Sequence, residues 1–70
     1  MKIKYFTKIT FTKENDSSSS IFELEVVFEY EQTAYDEVKR IAYEKASFME
    51  VPKGYIKIVN FEIINEEKIL

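Results

Sequence analysis

The sequence predicts a small α+β domain of ββαβ order, a three-stranded antiparallel sheet in strand order 2-1-3 with one helix packed on one face. Three observations carry that prediction. Two segments near the start fit each other residue for residue, a stripe at helical spacing follows them, and a further alternating run completes the order.

The first strand is expected at about residues 2–12. Ile3, Tyr5, Thr7, Ile9 and Phe11 alternate there with Lys2, Lys4, Phe6, Lys8 and Thr10. Period-two alternation rich in β-branched and aromatic residues is a strand signal. The second strand is expected at 21–31, with Phe22, Leu24, Val26, Phe28 and Tyr30 as its buried row. In a hairpin whose paired residue numbers add to 33, Lys2 meets Glu31, Lys4 meets Glu29 and Lys8 meets Glu25. Phe6, the apolar member of the lysine row, then falls opposite Val27, the apolar member of the glutamate row. On the reverse face Ile3 pairs with Tyr30, Tyr5 with Phe28, Ile9 with Leu24 and Phe11 with Phe22. A slip of one residue would turn the whole apolar row to water, so such a pattern specifies its own register. The polar run 13–20 sits where the hairpin needs a connection. It reads as a mobile loop, and its serines 17–20 as a flexible stretch or an adaptable binding finger.

The helix is expected at about 34–49, with Thr33 as N-cap and Asp36 and Glu37 in the first turn, where the helix dipole favours acids. Ala34, Val38, Ile41, Ala42, Lys45 and Met49 share one stripe, flanked by Tyr35, Ala46 and Phe48. Asp36, Lys39, Arg40, Tyr43, Glu44 and Ser47 take the opposite side. Pro52 and Gly54 turn the chain into a third strand at about 55–64, and residues 65–70 read as a short tail. A right-handed crossover would lay the third strand beside the first. The first strand is then central, with Glu62 and Glu66 expected opposite Lys8 and Lys4.

The third strand is apolar on both faces, which is expected when both are covered. A bulge near Val59–Asn60 would turn Ile56, Ile58, Phe61 and Ile63 all inward. Without it, Ile56, Ile58 and Ile64 join Phe6 and Val27 in an outer apolar patch that needs a partner or a second copy. The interface reading is preferred, and an edge strand could also pair with its counterpart in a homodimer. Tyr43 and Arg40 add a candidate contact on the polar side of the helix, since both residue types are enriched at binding hot spots.

Composition narrows the function. The 70 residues include no cysteine, no histidine and a single glycine. Disulfides, zinc clusters, thiol or imidazole catalysis and glycine-rich phosphate cradles are therefore excluded. No catalytic, cofactor-binding or metal-binding residue is expected, and the protein reads as a non-enzyme. A net charge of −3 and a pI of 4.9 oppose attraction to phosphate backbones. No apolar stretch approaches the roughly 20 residues that span a bilayer. Lysines break every apolar run of MKIKYFTKITF, so no signal peptide is expected, and a reducing cytoplasm suits a chain without cysteine. Abundant lysine, isoleucine, glutamate and asparagine match an AT-rich genome, such as a low-GC bacterium or its phages and plasmids.

Alternate residues on a strand lie ~6.5–7 Å apart, so Glu23, Glu25, Glu29 and Glu31 could imitate a run of phosphates. The competing reading is a solvated ladder against Lys2, Lys4 and Lys8, each pair worth about 0–1 kcal/mol. The ladder is preferred, because a mimic does not neutralise its own charges. The same lysines with Tyr5 and Phe6 could instead form a nucleic-acid platform. An acidic chain makes that the lesser reading. In expected fold, size and acidity the chain resembles small phage-encoded inhibitors that dimerise and block uracil-DNA glycosylase by mimicking DNA. The resemblance implies a dimeric protein-binding module that inhibits or modulates a host protein such as a defence nuclease, in an anti-CRISPR-like or DNA-mimic-like manner. A small nucleic-acid-binding or regulatory protein and a structural subunit of a larger assembly are the alternatives.

Overall fold

The computed structural model describes residues 1–14 and 20–69, which form β1 (Lys2–Lys13), β2 (Ile21–Glu31), α1 (Tyr35–Ala46) and β3 (Tyr55–Ile69). The sheet order is β2-β1-β3, and both neighbouring pairs are antiparallel. Most of the expected 13–20 connection, including serines 17–19, lies outside the described residues.

The β1–β2 register is the one that the sequence predicts at every position from Lys2↔Glu31 to Thr12↔Ile21. Its apolar face builds the core. Ile3, Tyr5, Ile9 and Phe11 of β1 and Val26 and Phe28 of β2 are buried against Val38, Ile41, Ala42 and Ala46 of α1. Thr7 is the polar residue in this face, and its Oγ1 donates to the Val26 carbonyl at 2.7 Å. Thr7→Val keeps the shape and removes that donor. It is expected to cost about 1 kcal/mol, read from the urea midpoint.

Tyr5 ties the sheet to the helix. Its ring stacks obliquely on Phe28 with centroids 5.5 Å apart. Its hydroxyl donates to the Glu31 carbonyl at 3.3 Å and accepts the Thr33 N–H at 3.2 Å, fixing the chain where it leaves β2. The helix starts one residue later than the sequence suggests. Ala34, not Thr33, is the N-cap, and no side chain caps it. It also ends earlier, at Ala46, with Ser47 Oγ donating to the Glu44 carbonyl at 2.6 Å.

Pairing with β1 carries β3 five residues past the expected end, to Ile69 opposite Lys2, so 65–69 is strand rather than tail. The register shifts three times, leaving Ile56, Val59 and Ile64 as extra residues on β3. The shift at Val59 is the bulge that the sequence allows, and it brings Ile58 opposite Phe11 while Phe61 stands inward beside Ile9. The shift at Ile64 moves Glu67 opposite Lys4 and Glu66 opposite Tyr5, so the expected Glu66–Lys4 pairing does not form.

Before β3, Gly54 has φ +95°, and its carbonyl accepts the Glu14 N–H at 3.0 Å. An added Cβ there would meet nothing within 4 Å. Gly54→Ala is therefore a test of backbone strain alone, expected to cost about 1–2 kcal/mol in chemical denaturation.

The lengths of the elements set up the rest. A 12-residue helix is ~18 Å long, whereas the 15-residue, bulged β3 belongs to a molecule 44 Å in its longest extent. α1 lies over β1 and β2. One sheet face is thus only partly roofed, and the other is open along its length.

Candidate functional site

On the open face the structure brings together Phe6, Val27 and Ile64, as expected, around a hollow of about 290 Å³ that Glu25, Asn65 and Glu67 also line. Phe6 is half-buried, with Lys4 Nζ 5.4 Å from its ring centroid. Ile64 reaches this face as the extra residue of its bulge and is exposed.

The charges on this face do not form the expected straight ladder. Lys8 pairs diagonally with Glu23 at 3.0 Å and across to Glu62 at 3.2 Å, not with Glu25 opposite. Glu31 pairs with the Met1 ammonium at 3.2 Å, not with Lys2. Diagonal neighbours on a twisted sheet are within reach of long side chains, so a register fixes which backbones face each other and not which ions meet. Hydrogen bonds from Lys8 to the two glutamates raise its pKa above the ordinary lysine value. Glu25 and Glu29 form no ion pair among the described residues. Tyr5, needed for a stacking platform beside the lysines, is buried on the opposite face.

Ile56 and Ile58 are not on the open face with Phe6 and Val27. Two register shifts turn both toward the helix side, where Ile58 stands opposite Phe11. There they form one wall of a cleft of about 430 Å³ beyond the end of α1. Ile9 and Phe11 lie in the cleft, and Tyr43, Ala46 and Met49 form the other wall. The roof is missing because α1 stops at Ala46. Ile56 is 62 % exposed, Ile58 40 %, and Phe48, which follows the helix, 85 %.

Tyr43 is not a solvent-facing contact on the polar side of α1. It is half-buried, and its ring meets Phe61 edge-on with centroids 5.8 Å apart. Arg40 is exposed but engaged. Its guanidinium donates to Glu37 at 2.6 Å and to Glu44 at 3.1 Å. The hydrogen bond from Arg40 is the main reason that the Glu37 carboxyl lies below the usual glutamate range. A lowered carboxyl pKa stabilises the fold above the ordinary carboxylate range, and the contribution is lost as pH falls through the lowered value. Arg40→Gln should therefore raise the Glu37 pKa in an NMR titration. The stability gap between variant and parent should close at acid pH.

The site that sequence reasoning missed is the cleft beyond α1, between Met49 and the Ile56–Ile58 wall. Spacing alone gave no signal for it: Pro52 disfavours helix only at Val51, whereas α1 already ends at Ala46 and leaves Phe48 and Met49 outside the stripe that they continue on paper. Among the described residues no group of acids could hold a metal ion, and no helix is long and apolar enough to cross a membrane. No family model, curated protein or solved structure matches the chain.

Proposed function

We propose that the chain is a non-enzymatic protein-binding module whose contact surface is the helix-side cleft. One observation carries this reading: Met49, Ile56 and Ile58 are exposed in the lining of a cleft backed by the buried Ile9 and Phe11, and Phe48, next to Met49 in the chain, is also exposed. Clustered apolar side chains at a free surface mark interaction sites. The cleft offers hydroxyls from Tyr43, Ser47 and Tyr55 but, among the described residues, no charged side chain in its lining. That chemistry suits an apolar anchor of a protein partner better than a polar substrate.

Size, acidity and an AT-rich compositional bias support a more specific form of the reading, an inhibitor or modulator of a host protein such as a defence nuclease, carried by a phage or mobile element. Affinity capture from a low-GC bacterial extract, with and without nuclease, tests it against an Ile56→Glu variant. A partner retained after nuclease treatment and lost with Ile56→Glu is the expected result. Retention that is indifferent to Ile56→Glu, or that ends with nuclease, overturns it.

A second reading, mimicry of a phosphate row, is favoured by Glu25 and Glu29, which form no ion pair among the described residues. The double variant Glu25→Lys, Glu29→Lys separates the two readings. Cleft binding predicts retention unchanged within about threefold, whereas mimicry predicts its loss, since like charges facing each other across an interface cost several kcal/mol.

A further inference from the structure

We infer that the occupant of the cleft is Phe48 of a second copy of this chain, seated reciprocally about a two-fold axis. The inference rests on reading the cleft as a protein-contact surface and names a second copy as its occupant, with which a host protein would compete.

A two-fold contact requires one patch to carry both a projection and the recess that takes it. This patch does. Phe48 is 85 % exposed, and its chain neighbours Ser47 and Met49 both line the cleft. The projection is therefore next in the chain to two residues of the recess without filling it. A cleft of about 430 Å³ with Ile9, Phe11, Ile56 and Ile58 in its lining has room and chemistry for a phenyl ring.

Charge agrees with this arrangement. With Phe48 seated in the partner's cleft, Glu50, two residues on, is held near the Tyr55–Ile58 wall of that cleft. Glu50 then approaches lysines, since Lys53 precedes that wall, Lys57 lies within it, and Lys13 Nζ sits 5.4 Å from the Tyr55 ring.

The area is also sufficient. Large side chains expose about 200 Å² each when free, so covering Phe48, Met49, Ile56 and Ile58 removes roughly 400 Å² of apolar surface per copy. A standard interface buries about 800 Å² per partner, of which slightly more than half is apolar. The apolar share is met, and the polar rim supplies the remainder.

Sedimentation equilibrium on the purified chain tests the inference. Wild type is expected to approach twice its 8.4 kDa mass as concentration rises. Phe48→Ala should weaken the dimer roughly 30-fold or more, the effect of losing an aromatic hot spot. Its circular dichroism should be unchanged, and so should its melting temperature at dilutions where both proteins are monomeric, because the exposed ring packs on little within the monomer. Ile58→Glu should be monomeric by itself. Mixed with Phe48→Ala it should recover part of the dimer mass, one intact projection meeting one intact recess. If Ile58→Glu fails to fold, Phe48→Ala decides alone. A dimer of unchanged affinity in Phe48→Ala overturns the inference by placing the contact elsewhere. A wild type monomeric at every concentration overturns self-seating while leaving the cleft itself to the Ile56→Glu capture, so the two failures are distinguishable.

Discussion

Ile9→Ala should lower the unfolding free energy by about 3 kcal/mol, within the 2–5 kcal/mol range for truncating a buried isoleucine. Ile9 is 0 % exposed at the middle of the central strand, with Leu24 opposite it on one side and Phe61 on the other. The rigid ladders on both sides stop the site from collapsing around the missing atoms, and a cavity that persists is what makes such a change costly. A chain of 70 residues has about 4–10 kcal/mol of stability in total, so this one substitution removes a third or more of it. Urea denaturation followed by far-UV circular dichroism reads the loss, with Ile9→Val as a graded control costing about 1 kcal/mol. A loss below 1 kcal/mol for Ile9→Ala would mean that the sheet relaxes into the space, contrary to the packing of its central strand.

The same ladder explains why half of the fold was legible in the sequence. Every β1–β2 partner followed from matching two rows, because a slip by one residue would expose Tyr5, Ile9 and Phe28 together. The ion pairs above that register were not legible. Lys8 is flexible enough to choose Glu23 and Glu62 over Glu25, and surface pairs differ too little in energy for spacing to decide among them.

β3 was harder because bulges break the period that makes a strand readable. An apolar residue on both faces can mean a buried strand, an interface or an inserted residue, and the alternation alone does not separate them. The actual answer divides the candidates. Ile64 joins Phe6 and Val27 on the open face, while Ile56 and Ile58 go to the cleft. The extension through Asn65–Ile69 was hidden because its side chains are mostly charged or polar. It is held by backbone pairing to β1, and hydropathy says nothing about that. Tyr43 illustrates a further limit. Its position on the helix is polar by spacing, yet a long aromatic side chain can lean from there onto Phe61.

Phe61→Ala should cost about 3–5 kcal/mol, the range for a buried phenylalanine. Phe61 is the buried core residue of β3 among the described residues. It also connects that strand to the helix. Tyr35 and Tyr43, both on α1, meet its ring with centroids at 5.6 and 5.8 Å, and the Tyr35 hydroxyl donates to the Phe61 carbonyl at 3.3 Å. Each such aromatic pair adds about 0.5–1.5 kcal/mol beyond the area that it buries. Because α1 otherwise rests on β1 and β2, the loss should fall unevenly. Amide exchange in β3 should quicken well before exchange in the β1–β2 ladder, so the strand uncouples as a local event. One wall of the cleft belongs to that strand, so partner capture and self-association should both weaken along with it. Phe61→Leu restores most of the volume without the ring and should recover stability more than it recovers the tyrosine contacts. If Phe61→Ala left stability within 1 kcal/mol of wild type, the Phe61 ring would not be what docks β3 on the helix. The cleft would then owe its shape to the backbone ladder alone.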